Sequence, residues 1–324
     1  MTADVAVICG GVGAARMLAA LSAVTDPNGI VGVVNTGDDD VINGLEISPD
    51  LDTITYTLAG AIDPGRGWGL ANESWRAMGA LHRYADVRPD GSQAADTWFS
   101  LGDRDLATHL YRTARRREGA SLSTVADEIR RAWDVTVRLL PMTDERLATR
   151  LQLEDGRWVS FQDYFVGLRH AVPVLAVDFT GRAATLTADA AIALGTAARV
   201  VIAPSNPIVS IGPIRSLPGT DQLLAARRES VVAVSPIVGG VALKGPADRL
   251  LAELGHAPSV VGVATLYAPI AGALVIDPVD AALAGDVEAA GLRCVVTPSV
   301  MSSPEASARL AAAVLDAVPA YRLH

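Results

Sequence analysis

The sequence is poor in the features that mark secreted and membrane-spanning proteins. It contains only 2 cysteines, Cys9 and Cys294, which are too few for a disulfide framework and are typical of a reducing cytoplasm. No uncharged apolar run reaches the length of about 18 residues that a membrane-spanning helix needs, so we expect no membrane contact. The N-terminus has no basic segment and only a short apolar run, which predicts no signal peptide. These absences together favour a cytoplasmic protein.

Positive charge is also scarce. The formal net charge is −9, and Lys244 is the only lysine among the 27 basic residues. An acidic surface repels the phosphates of a nucleic acid, so we expect no nucleic-acid partner, although a local basic pocket is compatible with this balance. Hydrophobic residues make up 50% of the chain, which predicts a densely packed globular protein and excludes a disordered one.

The most unusual stretch is acidic and follows an apolar run, residues 30–35, that is typical of a buried strand. The carboxyl side chains of this stretch are Asp38, Asp39, Asp40, Glu46, Asp50 and Asp52. Carboxylates at this density repel one another unless a cation, backbone donors or open water offset the charge. A solvated loop is one interpretation. We favour a divalent-cation site, because loops at the carboxyl ends of parallel strands line the ligand crevice.

A glycine-rich turn lies earlier, between a predicted strand at residues 4–9 and a predicted helix at 15–24. It contains Gly10, Gly11 and Gly13, with Arg16 following at once in the helix. Backbone N–H groups at such a turn and the positive end of a helix suit a phosphate. Arg16 occupies the third glycine position of the dinucleotide fingerprint, so that motif is incomplete. A tight connection without a ligand would use glycine too, but a guanidinium that can bind phosphate favours a ligand.

Alternating strand and helix patterns predict an α/β fold with a Rossmann-like three-layer core and a mostly parallel sheet. Residues 1–52 and 135–324 are expected to form this core. Helical spacing, including a helix at 72–84, predicts an inserted cap sub-domain over residues 53–134. Trp68 and Trp75 in the cap are candidates to stack on a planar ring, although aromatic residues more commonly pack between helices.

A polar loop follows the predicted strand at residues 198–203. It carries Ser205, Asn206, Ser210 and Gly212 between prolines, which makes it rigid and suitable for a nucleotide or phosphate. A purely structural turn is the alternative. In the cap, Asp103, Arg104, Asp105 and His109 form a charged cluster, in which Asp105 could be a helix N-cap and His109 a surface residue.

A series of motifs occurs in one order along nearly the whole chain. They are Gly-Gly-Val-Gly-x-Ala-Arg, Val-Asn-Thr-Gly-Asp-Asp, Ser-Pro-Asp-Leu-Asp-Thr, Gly-Trp-Gly, Leu-Gly-Asp-Arg-Asp-Leu-Ala-Thr-His, Leu-Pro-Met-Thr-Asp, Phe-Gln-Asp-Tyr-Phe-Val, Pro-Ser-Asn-Pro-x-x-Ser-Ile-Gly-Pro-Ile and Ser-Pro-Ile-x-x-Gly. Together they resemble the 2-phospho-L-lactate transferase family of coenzyme F420 biosynthesis, in particular its actinobacterial phosphoenolpyruvate transferase type.

This resemblance implies a reaction, a cofactor and an assembly. A phosphoenolpyruvyl or 2-phospho-L-lactyl unit would pass from a GDP-linked donor to the deazaflavin alcohol Fo, with release of GMP. A ribityl hydroxyl of Fo would attack the β-phosphate, and Mg²⁺ would be required. The resemblance also implies a homodimer that acts on small molecules.

The resemblance assigns roles to named residues, together with the chemistry of each side chain. Asp38 and Asp50 are expected to hold Mg²⁺, and the catalytic residues are expected to be Asp50, Asp52 and Arg104. Contacts to Fo are expected from Asp52, Trp68, Asp103 and Arg104. The guanosine and phosphates are expected to contact Gly10, Gly11, Gly13, Arg16, Asn35, Ser205, Asn206, Ser210 and Gly212.

Two other functions are compatible with a Rossmann-like core. A nucleotide-dependent oxidoreductase or epimerase is disfavoured by the incomplete glycine fingerprint and by the lack of a Tyr-x-x-x-Lys pair at Lys244. A non-catalytic relative that binds a sugar nucleotide would not need the charged cluster at residues 103–105. Its presence therefore favours the transferase.

Overall fold

The computed structural model describes residues 3–181 and 183–321. The strands are β1 (Val5–Cys9), β2 (Ile30–Val34), β3 (Asp40–Ile42), β4 (Leu45–Ile47), β5 (Arg138–Pro141), β6 (Ala148–Leu153), β7 (Trp158–Ser160), β8 (Val174–Thr180), β9 (Arg199–Ile202), β10 (Val231–Val234), β11 (Ile237–Val238), β12 (Val241–Ala242), β13 (Ala273–Ile276) and β14 (Arg293–Val296). The α-helices are α1 (Gly11–Val24), α2 (Pro49–Leu58), α3 (Arg76–Leu81), α4 (Asp105–Arg117), α5 (Leu122–Ala132), α6 (Ala188–Thr196), α7 (Gly212–Ser216), α8 (Thr220–Ala225), α9 (Ala247–Glu253), α10 (Val260–Tyr267), α11 (Ala284–Ala289) and α12 (Pro304–Asp316).

A seven-stranded sheet forms the centre of the fold, in the order β14-β13-β10-β9-β1-β2-β5. Each neighbouring pair is parallel. Strands buried on both faces are expected to be continuously apolar, and all residues of β1, β2, β10 and β13 are buried. The predicted three-layer α/β fold with a mostly parallel sheet is therefore confirmed.

Helices cover both faces of this sheet. On one face α1 packs against α2 and α12, and buried side chains of α2 and α5, such as Leu51, Ile54 and Leu122, belong to the same cluster as those of α1. A separate small cluster joins α3 and the β3–β4 hairpin through Met78, Ile42 and neighbours. Thus α2 and α5 pack with the core although they lie largely within the predicted cap, whose boundaries at 53 and 134 stay a prediction.

One local prediction was wrong and another was right only in part. Residues 40–47, expected as part of an acidic loop, form an antiparallel hairpin in which Asp40 pairs with Ile47. Asn43 and Gly44 have φ angles of 52° and 77°, the left-handed geometry that favours an Asn-Gly hairpin turn. The helix expected at 72–84 is limited to α3 and a short 3₁₀ turn, His82–Tyr84. Across residues 3–181 and 183–321, no helix combines the length and apolar character needed to span a membrane.

Candidate active site

The candidate site lies where the order of the sheet changes direction. From β1 the chain proceeds to β2 and β5 on one side, and later to β9 and β10 on the other. Loops at the carboxyl ends of β1 and β9 therefore open a crevice, which is where open parallel sheets bind ligands. Ser205 closes the base of this crevice: its Oγ donates to the Gly10 carbonyl at 2.8 Å and accepts from the Gly10 N–H at 3.4 Å.

Gly10 and Gly13, at the junction of β1 with α1, have no room for a side chain. A Cβ on Gly10 would lie 2.7 Å from Asp50 Oδ2, and one on Gly13 would lie 2.3 Å from the Pro204 carbonyl oxygen. Gly11 has a φ of +71°, a conformation that glycine adopts without strain. Gly10, at the N-cap position, has no side chain to cap α1. The first turn of α1 is therefore suited to bind an anion through its backbone N–H groups.

Buried carboxylates face this turn. Asp50 lies in the first turn of α2, and its Oδ2 accepts a hydrogen bond from Asn35 Nδ2 at 3.0 Å. Burial raises the pKa of Asp50 to about 6, against the opposing effect of hydrogen bonds from Asn35 and the Gly11 N–H. Asp38 is only 6% exposed, and its Oδ1 has no hydrogen-bond partner among the described residues. Burial and the charges of Asp50 and Asp39 raise the pKa of Asp38.

Asp39 joins this group, although the sequence assigned it no role. Ser48 Oγ donates to Asp39 Oδ2 at 2.7 Å, whereas Asp39 Oδ1 lacks a partner within residues 3–181 and 183–321. Burial raises the pKa of Asp39. Buried carboxylate oxygens without donors are costly unless a cation binds them. Asp38 and Asp50, the residues predicted to hold a magnesium ion, thus lie buried beside this turn with Asp39 next to them, and their role as metal ligands stays a prediction.

Asp52 lies in a buried ion-pair network between α2 and α4. Both of its oxygens accept from the Arg112 guanidinium, one at 3.1 Å. His109 lies between two carboxylates, with Nδ1 3.7 Å from Asp52 Oδ2 and Nε2 3.3 Å from Asp105 Oδ2. Tyr56 donates to Asp105 Oδ1 at 2.6 Å. Although Asp52, Asp105 and His109 are close enough to ligate a metal, Arg112 already supplies the positive charge there, so we assign them no cation.

Three of the four residues predicted to contact Fo, namely Trp68, Asp103 and Arg104, lie in residues 66–77 or bind to them, whereas Asp52 is buried in the ion pair with Arg112. The Arg66 guanidinium lies 5.3 Å from the ring centroid of Trp68, which is 48% exposed, and 5.2 Å from that of Trp75. The Arg104 guanidinium donates to the Ala71 carbonyl and is exposed. The Asp103 carboxylate instead accepts from Ser74 Oγ and from the N–H groups of Arg76 and Ala77. Asp103 therefore caps α3.

The loop that carries Arg66, Gly67 and Trp68 adjoins the glycine turn. A Cβ on Gly67 would lie 3.5 Å from Val12 Cγ1 and 2.7 Å from Lys244 Nζ. Lys244 Nζ also lies 3.5 Å from the Arg66 carbonyl oxygen. The loop that carries Trp68 thus reaches the start of α1, so the predicted phosphate and ring contacts share one crevice.

The remaining predicted nucleotide residues differ in placement. A Cβ on Gly10 would lie 3.0 Å from Ser210 Cβ, so Ser210 packs against the glycine turn. The side-chain oxygen of Asn206 accepts from the N–H groups of Ile208 and Val209, which shapes its loop. Gly212 packs against Phe179, and Arg16 lies on an exposed face of α1. The ligand roles of these residues stay predictions.

Sequence reasoning missed part of the network on α4. His109, for which a surface position was one expectation, is 1% exposed, and Arg112 is equally buried. Asp105, His109 and Arg112 are four and three residues apart, which places them on one face of a helix. That spacing was a usable signal. Glu73 accepts from the Arg104 and Asp105 N–H groups. The sequence carries no such signal for Glu73, because these partners lie 31 and 32 residues away.

A parallel sheet with a glycine turn and buried carboxylates at its switch point defines a class of α/β proteins that act on phosphorylated ligands. The family model described as 2-phospho-L-lactate transferase CofD matches residues 5–295. The chain therefore belongs to the 2-phospho-L-lactate transferase family and is a transferase, as the motifs predicted. The oxidoreductase and the non-catalytic alternatives receive no support from this membership.

Relatives named phosphoenolpyruvate transferase match almost the full length of the chain. The protein from Kitasatospora aureofaciens is 39% identical over 314 residues, with 95% of both chains covered. The one from Streptomyces coelicolor is 39% identical over 312 residues, again with 95% of each covered. The one from Mycolicibacterium smegmatis is 38% identical over 327 residues, covering 96% of this chain and 98% of that protein.

Solved structures share the fold at much lower identity. A crystal structure of a upf0052 family member from Bacillus halodurans superposes with a TM-score of 0.60 at 15% identity, covering 97% of this chain and 99% of that chain. A second Bacillus halodurans structure gives a TM-score of 0.61 at 14% identity, covering 97% of this chain and 100% of that chain. At such identity the likeness establishes the fold alone.

Proposed function

We propose that the protein transfers a phosphoenolpyruvyl or 2-phospho-L-lactyl unit from its GDP-linked donor to the deazaflavin Fo, releasing GMP. The product would be dehydro coenzyme F420-0 or coenzyme F420-0. The observation that carries the proposal is the crevice at the switch point, where the glycine turn lies against the carboxylate of Asp50 on one side and approaches Gly67, beside the exposed Trp68, on the other. A cytoplasmic homodimer remains our expectation from the sequence.

In this reaction the ribityl hydroxyl oxygen of Fo forms a bond to the β-phosphorus of the donor. The bond from that phosphorus to the oxygen shared with the α-phosphate breaks, and GMP leaves with this oxygen. The hydroxyl proton passes to a carboxylate, for which Asp50 and Asp52 are our candidates. Because little covalent chemistry is left to the protein, positioning and charge neutralisation supply most of the catalysis.

Donor binding is proposed for the glycine turn and the loop after β9. The N–H groups at the start of α1 would bind the diphosphate, with Arg16 as a possible additional cation. Asn35 and Ser210 flank the same turn. The close packing of Gly10 and Gly13 supports this assignment, because a bulkier residue would displace the backbone that meets the phosphates.

Asp38 and Asp50 would hold Mg²⁺. Their fit to this ion is supported by oxygen ligands, which Mg²⁺ prefers, and by the Oδ1 atoms of Asp38 and Asp39, which have no hydrogen-bond partner in the part of the chain that the structure describes. When bound, Mg²⁺ would neutralise charge on the diphosphate oxygens. Within the chain, Gln162 Nε2 donates to the Asp38 carbonyl at 3.1 Å and so fixes the loop that carries these carboxylates.

Acceptor binding is proposed for Trp68, Arg104, Asp52 and Asp103. An exposed indole beside a guanidinium suits a planar heteroaromatic ring with polar substituents. The ion pair with Arg112 fixes the Asp52 carboxylate, and Asp103 orders the neighbouring α3. The names of the actinobacterial relatives favour the phosphoenolpyruvyl donor over the lactyl donor.

Incubation with purified substrates tests the proposal. The protein, Fo and Mg²⁺ would be combined with each GDP-linked donor in turn, and GMP would be measured by chromatography. We expect GMP to appear only when Fo is present, with an amount of product that matches the GMP. Absence of GMP with both donors would refute the transferase reaction proposed here.

A further inference from the structure

We infer that Glu73 is a positioning residue that sets the place of Arg104 in the acceptor site. The inference rests on the proposed function, in which Arg104 contacts Fo. Glu73 itself is not placed against either substrate. It acts on the start of α4, the helix that immediately follows Arg104.

Both carboxylate oxygens of Glu73 are used at this helix start. Oε2 accepts from the Arg104 N–H at 2.9 Å, and Oε1 accepts from the Asp105 N–H at 2.8 Å. Arg104 occupies the N-cap position of α4, and its own side chain makes no capping hydrogen bond. The N–H groups at a helix start need an external acceptor. Glu73 provides it from 31 residues earlier in the chain.

The two segments hold each other. In return for the cap from Glu73, the Asp103 carboxylate caps α3 through the N–H groups of Arg76 and Ala77. The Asp103 N–H also donates to the Ser74 carbonyl at 2.8 Å. We call residues 73–77 and 103–105 the reciprocal clamp. Each side of the clamp orders the helix start of the other. The clamp therefore fixes the position of Arg104 relative to the loop that carries Trp68.

The packing around Gly102 supports a specific place for the Glu73 carboxylate. A Cβ on Gly102 would lie 2.3 Å from Glu73 Cδ and 2.6 Å from each of its oxygens. No side chain fits there without displacing the carboxylate. Glycine at 102 therefore keeps open the space in which Glu73 reaches both N–H groups.

The clamp leaves the charge of Arg104 free. Glu73 bonds to the backbone of Arg104 and not to its guanidinium, and the guanidinium forms no ion pair with any residue of 3–181 and 183–321. Its hydrogen bond to the Ala71 carbonyl holds it beside the same segment. A guanidinium has five N–H donors, so the remaining donors are available to an acceptor. Loss of Glu73 should shift this group without removing it.

Titration of Fo and steady-state kinetics of the whole protein test the inference. Glu73→Ala should raise the Kd and KM for Fo about tenfold and leave the KM for the donor within about twofold, because misplacement of one contact weakens only its own ligand. Glu73→Gln, which keeps the shape but replaces one of the two accepting oxygens with an NH2 donor, should fall between wild type and Glu73→Ala. In an Arg104→Ala background, Glu73→Ala should add little further loss, since residues that act through one contact are not additive.

Ser121→Ala is the matched control. Ser121 caps α5 by accepting from the Thr124 N–H and touches neither segment of the clamp. It should lower thermal stability by a similar degree while the KM for Fo stays unchanged. If Glu73→Ala resembles Ser121→Ala in its KM for Fo, or if its effect adds in full to that of Arg104→Ala, the inference is wrong. Failure of the wild-type protein to bind Fo would instead overturn the proposed function and, with it, this role.

Discussion

At the scale of single residues, the acidic stretch separates into two kinds of carboxylate. Asp38, Asp39 and Asp50 are buried or nearly so around the glycine turn, whereas Asp40 begins β3 and lies 3.3 Å from Arg146. Burial disfavours the charged form of a carboxyl group. The fold therefore holds carboxylates at positions where their burial lowers stability. This arrangement is expected where the residue type serves ligand binding and not folding.

The raised pKa of Asp50 predicts a pH-dependent stability difference. Burial raises it from 3.8 to about 6, so the folded protein binds this proton more tightly than the unfolded chain. The stabilisation is full below the unfolded value and is lost as pH rises through about 6. The difference of about two between the folded and unfolded pKa values corresponds to about 3 kcal/mol in the free energy of unfolding. Asp50→Asn, which does not titrate, should gain stability relative to wild type by about this amount between pH 4 and pH 7.

Urea unfolding in metal-free buffer at several pH values measures this difference. Asp155→Asn serves as a control of opposite sign, because hydrogen bonds from Arg157 lower the pKa of that exposed carboxyl group. Because that pKa is lowered from 3.8, its stability relative to wild type should change below about pH 4 and stay nearly constant between pH 4 and pH 7. A flat difference for Asp50→Asn between pH 4 and pH 7 would show that the buried carboxyl group does not titrate as the geometry requires.

At the scale of elements, local signals and distant contacts differ in how well they could be predicted. The strands β1, β2 and β9 are apparent from continuous apolar runs, and the glycines after β1 mark the start of the helix α1. The β3–β4 hairpin was missed although Asn43-Gly44 is a strong turn signal, because the surrounding carboxylates are equally typical of a loop that binds a cation. The pairing of α2 with α4 was not predictable, since Asp52 and Arg112 are 60 residues apart.

This pairing predicts unequal effects for two arginines on α4. Arg112→Met leaves the buried Asp52 without its partner and should destabilise the protein by about 3 to 5 kcal/mol, the usual result of breaking a buried pair. Arg115→Met removes a half-exposed pair with Glu128 between α4 and α5, for which about 1 kcal/mol or less is expected. Chemical denaturation of both variants makes the comparison.

Adding Asp52→Asn to Arg112→Met should restore part of the lost stability, because it removes the uncompensated charge. This double variant distinguishes the ion pair from the packing of the arginine stem. If Arg112→Met and Arg115→Met cost the same, the network does not join α2 to α4 as its buried geometry indicates.

At the scale of the whole molecule, strand order determines where the chemistry can lie. The sequence predicts alternating elements, but the order β5-β2-β1-β9-β10-β13-β14 arises from long crossovers that no local pattern encodes. It places the turn after β1 beside the loop after β9, which is 195 residues away at Gly10 and Ser205. The motifs predicted ligand contacts for both loops. Only the fold shows that the Ser205 hydroxyl joins the two loops through its hydrogen bond to the Gly10 carbonyl.

This convergence predicts that GDP stabilises the whole protein and that Mg²⁺ is needed for the full effect. A ligand at about 100 times its Kd adds about 2.7 kcal/mol, which for a chain of this size raises Tm by roughly 3 °C. Because the diphosphate would lie between α1 and the carboxylates, GMP should raise Tm less than GDP. Chelation of the metal, or Asp38→Asn, should reduce the GDP effect towards that of GMP, since the β-phosphate would then face buried carboxylates without a cation. Thermal unfolding of wild type and Asp38→Asn with each nucleotide, with and without Mg²⁺, measures these shifts, and equal GDP shifts with Mg²⁺ and with chelator would remove Asp38 and Asp50 from the metal site.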